Sequence, residues 1–181
     1  MKATGIVRRI DELGRVVIPK EIRRTLRIKE GDPLEIFTDR DELMLKKYSP
    51  IASLDRFSKA TARSLNELSG KLAVICDTDG VLHAYGDGKK DFDGKRLSDE
   101  MDRILKARRS YLANACEGGD ILPVTSPNEE GITAQIVVPI VLSGDCLGAV
   151  IVLSKQDNAK MDASDLSLAR LTADILANQF E

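Results

Sequence analysis

Seven cationic side chains lie between residues 8 and 27: Arg8, Arg9, Arg15, Lys20, Arg23, Arg24 and Arg27. Six of the seven are arginine, whose planar guanidinium grips phosphate oxygens or guanine edges with a fork of donors. On a helical wheel Lys20, Arg23, Arg24 and Arg27 fall within an arc of about 100°, with Ile22 and Leu26 nearly opposite. Arg15 follows Gly14 at a turn. Arg8 and Arg9 are neighbours on a β-prone segment, so they point to opposite faces and only one can meet a given duplex; Arg8 is the one expected to do so. The chemistry on offer is polyanion binding. The same charges also fit a solvated helix face whose late cations favour the C-terminal dipole.

Other reactive groups form no comparable set. Cys76, Cys116 and Cys146 are widely spaced and odd in number, so no disulfide framework is expected and a reducing compartment is. Cys76 and Cys146 sit in or beside apolar strand sequence without a cationic neighbour, as structural thiols do. His83, the sole histidine, reads as a packed or surface residue, and no metal site or cofactor is expected. The run Gly86-Asp87-Gly88-Lys89-Lys90 fails both nucleotide-loop patterns and reads as a turn.

These groups must be carried by a folded chain. With 181 residues, 43% hydrophobic and 31% charged, the protein falls among folded proteins rather than disordered ones. The net charge of −2 conceals a division. Residues 1–53 hold 12 Lys and Arg against 9 Asp and Glu, a net +3, whereas residues 54–181 net −5. A basic head on an acidic body is the asymmetry expected when one end meets a polyanion. The longest uncharged stretch, Gly131 to Gly144, contains Pro139 and is shorter than the roughly 18 apolar residues of a membrane span. The N-terminus has no apolar signal core, so neither export nor membrane insertion is expected.

The head reads as strands at 5–10 and 15–18 around the turn Asp11 to Gly14, a short helix from Lys20 to Leu26, and a hairpin of 34–38 with 43–46. About 50 residues without disulfide or metal are close to the lower limit for folding alone, and a second copy is the simplest completion. Ser49-Pro50 marks the boundary between domains 1–50 and 51–181. In the body, Ile51, Leu54, Phe57, Leu65 and Leu68 mark a helix with Thr61 in its seam, and Gly70 ends it. A hairpin of 72–76 with 81–85 follows, then a helix from Ser98 or Asp99 to about Ala115 with Met101, Ile104, Leu105 and Leu112 on one side. Strands at 133–142 and 146–153 are continuously apolar and should lie mid-sheet. Asp162 caps a last helix to Phe180, with Leu168, Leu171, Ile175 and Leu176 sharing a side. The fold class is α+β.

The run from Gly5 to Leu26, with Leu13-Gly14-Arg15-Val16-Val17-Ile18-Pro19 at its centre, resembles the signature of AbrB-type transition-state regulators. Leu34-Glu35-Ile36 and Leu45-Lys46-Lys47-Tyr48 resemble the rest of that module. The resemblance implies a swapped-hairpin β-barrel, built by two interleaved chains, that dimerises and binds DNA. It places the DNA-contacting arginines on Arg8, Arg15, Arg23 and Arg24, with Arg9, Lys20 and Arg27 secondary. Val138-Pro139-Ile140-Val141, Gly144-Asp145 and Leu147 to Leu153 resemble the distal half of a GAF domain, an antiparallel sheet with flanking helices. The combination resembles the stage V sporulation protein T family. That implies a homotetramer joined through helices beside the GAF-like domain, and a bacterial cytoplasmic regulator, nucleoid-associated and acting in the forespore.

The function expected is sequence-selective binding of double-stranded DNA to activate or repress late sporulation genes. Phe37 and Tyr48 are the head's only aromatics, too few to stack unpaired bases. The body is expected to sense a small-molecule effector of unknown identity or to assemble the oligomer, and not to be an enzyme. Two alternatives are a toxin-neutralising antitoxin and a GAF-type cysteine methionine sulfoxide reductase.

Overall fold

The computed structural model describes residues 5–127 and 130–180, and the chain divides into two compact units that meet between Tyr48 and Ser49. In the first unit, α1 (Lys20–Thr25) follows Pro19, whose fixed φ suits entry to a helix. An antiparallel hairpin, β1 (Leu34–Asp39) and β2 (Glu42–Lys47), pairs Leu34 with Lys47 and Asp39 with Glu42. Residues 5–10 and 15–18, expected as strands, carry no ladder in this chain. A strand needs a hydrogen-bonded neighbour, and within one chain these segments have none. For the same reason the described residues of one chain form no closed barrel.

Among the described residues of the first unit, none is buried. Among the described residues the unit holds thirteen of the eighteen exposed large hydrophobic side chains, including Val7 at 89% and Val17 at 70% exposure. Ile22 and Leu26, expected on a core-facing side of α1, are half-buried and exposed.

The second unit begins with two helices, α2 (Pro50–Ser53) and α3 (Asp55–Ser69), instead of one. The break falls at Leu54, and Gly70 ends α3 in the left-handed conformation that glycine adopts freely. Strands β3 (Leu72–Asp77) and β4 (Val81–Tyr85) form the expected hairpin. A two-residue β5 (Arg96–Leu97) precedes α4 (Asp99–Ala107), which is capped by the Ser98 hydroxyl. Then come β6 (Tyr111–Asn114), β7 (Thr125–Ser126), β8 (Ala134–Leu142), β9 (Asp145–Ser154) and α5 (Ala163–Ala177). One five-stranded antiparallel sheet runs β4-β3-β9-β8-β6, and β5 pairs with β7 separately.

The sheet is buried on both faces, which is why β8 and β9 read as unbroken apolar runs. Ala73, Ile75, Ile136, Val150 and Val152 face α3 and α5. Val74, Cys76, Val137, Ile151 and Leu153 face the layer of Phe92, Leu97, Met101 and Leu105. Buried polar groups tie loops to this frame. Gln135 accepts from the Leu122 N–H (2.5 Å) and donates to the Leu122 carbonyl (3.1 Å). Asn114 does the same for Met161, at 2.7 and 3.1 Å.

Three expectations need correction. The helix from Ser98 stops at Ala107, because Arg108 turns left-handed at φ 53°. Leu112 therefore lies on edge strand β6, on its solvent side. In α5 the side against the sheet is built from Ala169, Thr172, Ala173, Leu176 and Ala177, while Leu171 (58%) and Ile175 are exposed. In α3 Leu68 is likewise exposed.

Gly148 on β9 pairs with Asp77 at the end of β3, and a Cβ there would sit 2.0 Å from the Cys76 carbonyl oxygen and 2.9 Å from Asp77 Cα. Both are backbone atoms that no rotamer change can move. Gly148→Ala is expected to destabilise the second unit by about 3 kcal/mol or more, measured by urea unfolding.

Candidate nucleic-acid interface

The first unit sets its cations on two local devices. One is a turn from Asp11 to Arg15. The Gly14 N–H donates to the Asp11 carbonyl and the Asp11 N–H to the Arg15 carbonyl, both at 3.0 Å. Gly14 sits at φ 75°, where only glycine is unstrained. The Asp11 carboxylate accepts from the N–H groups of Leu13 (3.0 Å) and Arg15 (2.8 Å), and from Arg15 Nε at 2.8 Å. The side chains of this pair are 71% (Arg15) and 42% (Asp11) exposed, so it is no buried lock. The second device is α1, which places Arg23 and Arg24 side by side in its last turn.

Arg8, Arg9, Lys20, Arg23 and Arg24 are exposed, and among the described residues no ion pair engages any of them. Arg27 departs from the expected arc. It lies past the end of α1 at φ 52°, half-buried, because the chain leaves the helix through a bond from the Ile28 N–H to the Arg23 carbonyl. Helical spacing stops at Thr25, so a wheel drawn through Arg27 misplaces it. Sequence reasoning treated Asp11 as a turn former only. The signal for more is its spacing: an Asx-type acceptor four residues before an arginine across a glycine.

Backbone donation from Arg15, followed by the Arg15 side chain, holds the Asp11 carboxyl below the ordinary Asp range. The contribution of this turn is therefore complete above the ordinary value of about 3.9 and is lost as pH falls through the lowered one. A carboxyl NMR titration should show Asp11 titrating below that value, and Arg15→Ala, which removes the side-chain bond but keeps the backbone N–H, should move it only part of the way up.

All three cysteines are free thiols, Cys76 buried, Cys146 half-buried and Cys116 exposed. Burial pushes the Cys76 thiol far up and the Cys146 thiol up as well. Cys116 is exposed and its Sγ lies 3.5 Å from the Ala159 carbonyl. His83 Nε2 lies 3.4 Å from Asp55 Oδ1, and burial lowers its pKa although Asp55 pulls the other way. Among the described residues no group of three His, Cys, Asp or Glu side chains could hold a metal ion. No helix among them is long and apolar enough to cross a membrane. Iodoacetamide should label Cys116 in the native protein and Cys76 only after denaturation, as followed by mass spectrometry.

Residues 53–181 match the profile of a family described as stage V sporulation protein T C-terminal, transcription factor. Over its whole length the chain is 46% identical to stage V sporulation protein T of Bacillus subtilis, covering 99% of that protein. The chain belongs to the stage V sporulation protein T family. Residues 7–53 also match the profile of the antidote-toxin recognition protein MazE, a bacterial antitoxin. A 74-residue stretch, 41% of this chain, is 50% identical to the transition state regulatory protein AbrB of B. subtilis and covers 77% of it. The GAF domain of the nutrient sensor CodY from Clostridium difficile superposes with a TM-score of 0.51 at 20% identity, over 68% of this chain and 83% of that one. The second unit thus has the GAF fold. With its AbrB-like head, this family member is a DNA-binding transcriptional regulator of sporulation genes.

Proposed function

We propose that two copies of the first unit interleave into one swapped-hairpin barrel that docks on double-stranded DNA through Arg8, Arg15, Arg23 and Arg24. The observation that carries this is the pairing of opposites in one small unit. Many of its apolar side chains are exposed in the single chain, while Arg8, Arg15, Arg23 and Arg24 are also exposed and, among the described residues, only Arg15 has an ion-pair partner, Asp11. A second chain would remove the apolar surface from water and leave the cations outside. Arg9, Lys20 and Arg27 play a secondary part, Arg27 least because of its position beyond α1. The barrel lacks a long recognition helix, so groove shape and bendability supplement base-edge contacts, and binding favours AT-rich, symmetric sites.

The second unit, residues 51–181 by the sequence boundary, serves as the assembly and sensing body. Leu68 on α3 with Leu171 and Ile175 on α5 leaves apolar side chains on two helices that pack together. That supports a homotetramer of head dimers joined through these helices. A small-molecule effector would act by favouring one spacing of the heads. The reading places the protein in the bacterial cytoplasm, on the nucleoid of the forespore, activating or repressing late sporulation genes without enzymatic turnover. The antitoxin reading has less support, because the body is a folded sheet domain rather than a toxin-wrapping tail.

Eight arginines per head dimer correspond to a slope of log K against log salt of about −7 if all neutralise phosphates. Arg23→Ala should flatten that slope by about 2 and weaken duplex binding, with the oligomer unchanged by analytical ultracentrifugation. Loss of the oligomer would assign these arginines to structure instead. Leu171→Asp should reduce a tetramer to dimers that still bind DNA, measured by light scattering; an unchanged mass would remove α5 from the assembly.

A further inference from the structure

The turn that carries Arg15 contains an acidic residue where a DNA-binding face would gain by having none. A carboxylate close to a phosphate backbone repels it, so Asp11 carries an electrostatic cost that its place in the fold must offset. Its three bonds divide into two kinds. Oδ1 accepts from the Leu13 and Arg15 N–H groups, which shapes the backbone turn. Oδ2 accepts from Arg15 Nε alone, which shapes nothing in the backbone. That second bond engages the long arginine side chain at its Nε and restrains it there. Among the described residues no hydrogen bond engages Nη1 or Nη2, the pair of nitrogens that forms a fork with a phosphate or a guanine edge.

An exposed arginine otherwise loses much rotamer freedom when it binds. Holding it beforehand removes part of that loss, and this is how preorganisation strengthens association. We propose that Asp11 is a positioning residue for DNA recognition, its Oδ2 clamping Arg15 through Nε so that the terminal guanidinium nitrogens are presented to the duplex. The inference rests on the reading of Arg15 as a DNA contact and adds to it an acidic residue that favours binding to a polyanion.

The substitution that separates the two kinds of bond is Asp11→Asn. The amide keeps Oδ1 as acceptor for both backbone N–H groups and has the same size. Its Nδ2 cannot accept from Nε, and the negative charge is gone. Charge alone predicts tighter DNA binding for this variant. Loss of the clamp predicts the opposite sign, a weakening of about fivefold.

The experiment is fluorescence anisotropy of the full chain with an AT-rich linear duplex at low salt. It compares wild type, Asp11→Asn, Arg15→Ala and the double variant. Expected are weaker binding for Asp11→Asn and no further loss when it is added to Arg15→Ala, since without the guanidinium there is nothing to clamp. The NMR signal of Arg15 Nε–H should be protected from exchange in wild type and lose that protection in Asp11→Asn, while the amide shifts of Leu13 and Arg15 show the turn intact. Unchanged or tighter binding by Asp11→Asn overturns the proposal. So does an equal loss in the Arg15→Ala background, or an Arg15 Nε–H as exchangeable in wild type as in the variant. If Arg15→Ala itself binds like wild type, the reading of Arg15 as a contact fails, and that result is distinct from failure of the clamp alone.

Discussion

Apolar surface that a chain cannot hide from water governs this protein. The first unit has a hairpin, a short helix and a tight turn, yet none of its described residues is buried. A structure of that kind has almost no hydrophobic free energy to set against the entropy of ordering about 45 residues. The body is the opposite case. It holds one sheet with both faces covered, and its core includes Ile75, Ile136, Ile151 and Leu153 at 0% exposure. The two units therefore differ in what stabilises them: the body closes on itself, while the head, under the reading proposed above, is completed by another chain.

That contrast bears on how charge and function are linked. The cations cannot be sorted to an outer surface until there is an inside, and in the head the inside comes from a second copy under the reading given above. Oligomerisation and DNA recognition would then be one event, with affinity depending on protein concentration as well as on salt. In the body the buried polar groups are all satisfied among the described residues. Gln135 and Asn114 spend their hydrogen bonds on Leu122 and Met161, which fixes the long connections over the sheet.

Much of this was legible in the residues. The hairpin of β1 and β2 follows from alternation around a polar turn, and β8 and β9 from largely apolar runs joined at Ser143-Gly144-Asp145. The caps at Ser98 and Asp162 each have a side-chain oxygen ahead of a helix. Errors arose where tertiary contact overrides pattern. Leu105 and Leu112 are a heptad apart and so mimic a helix, but the chain reverses at Arg108 and Leu112 joins an edge strand. In α5 close approach to the sheet selects small side chains, so Ala169, Ala173 and Ala177 are covered and the larger Leu171 and Ile175 are not. The shared last turn of Arg23 and Arg24 was visible from their spacing, whereas the place of Arg27 past the helix end and the second bond of Asp11 are matters of local geometry that spacing does not encode.

Gln135 carries one more implication. It stands near the start of β8 with no exposure, and both ends of its amide are committed to a single loop residue. A carboxylate there would turn an acceptor toward the Leu122 carbonyl, and a hydrocarbon would leave two backbone groups orphaned. Among relatives, position 135 and the stretch from 120 to 124 should accordingly drift together: where the amide is replaced, the loop should have been rebuilt around its own backbone partners.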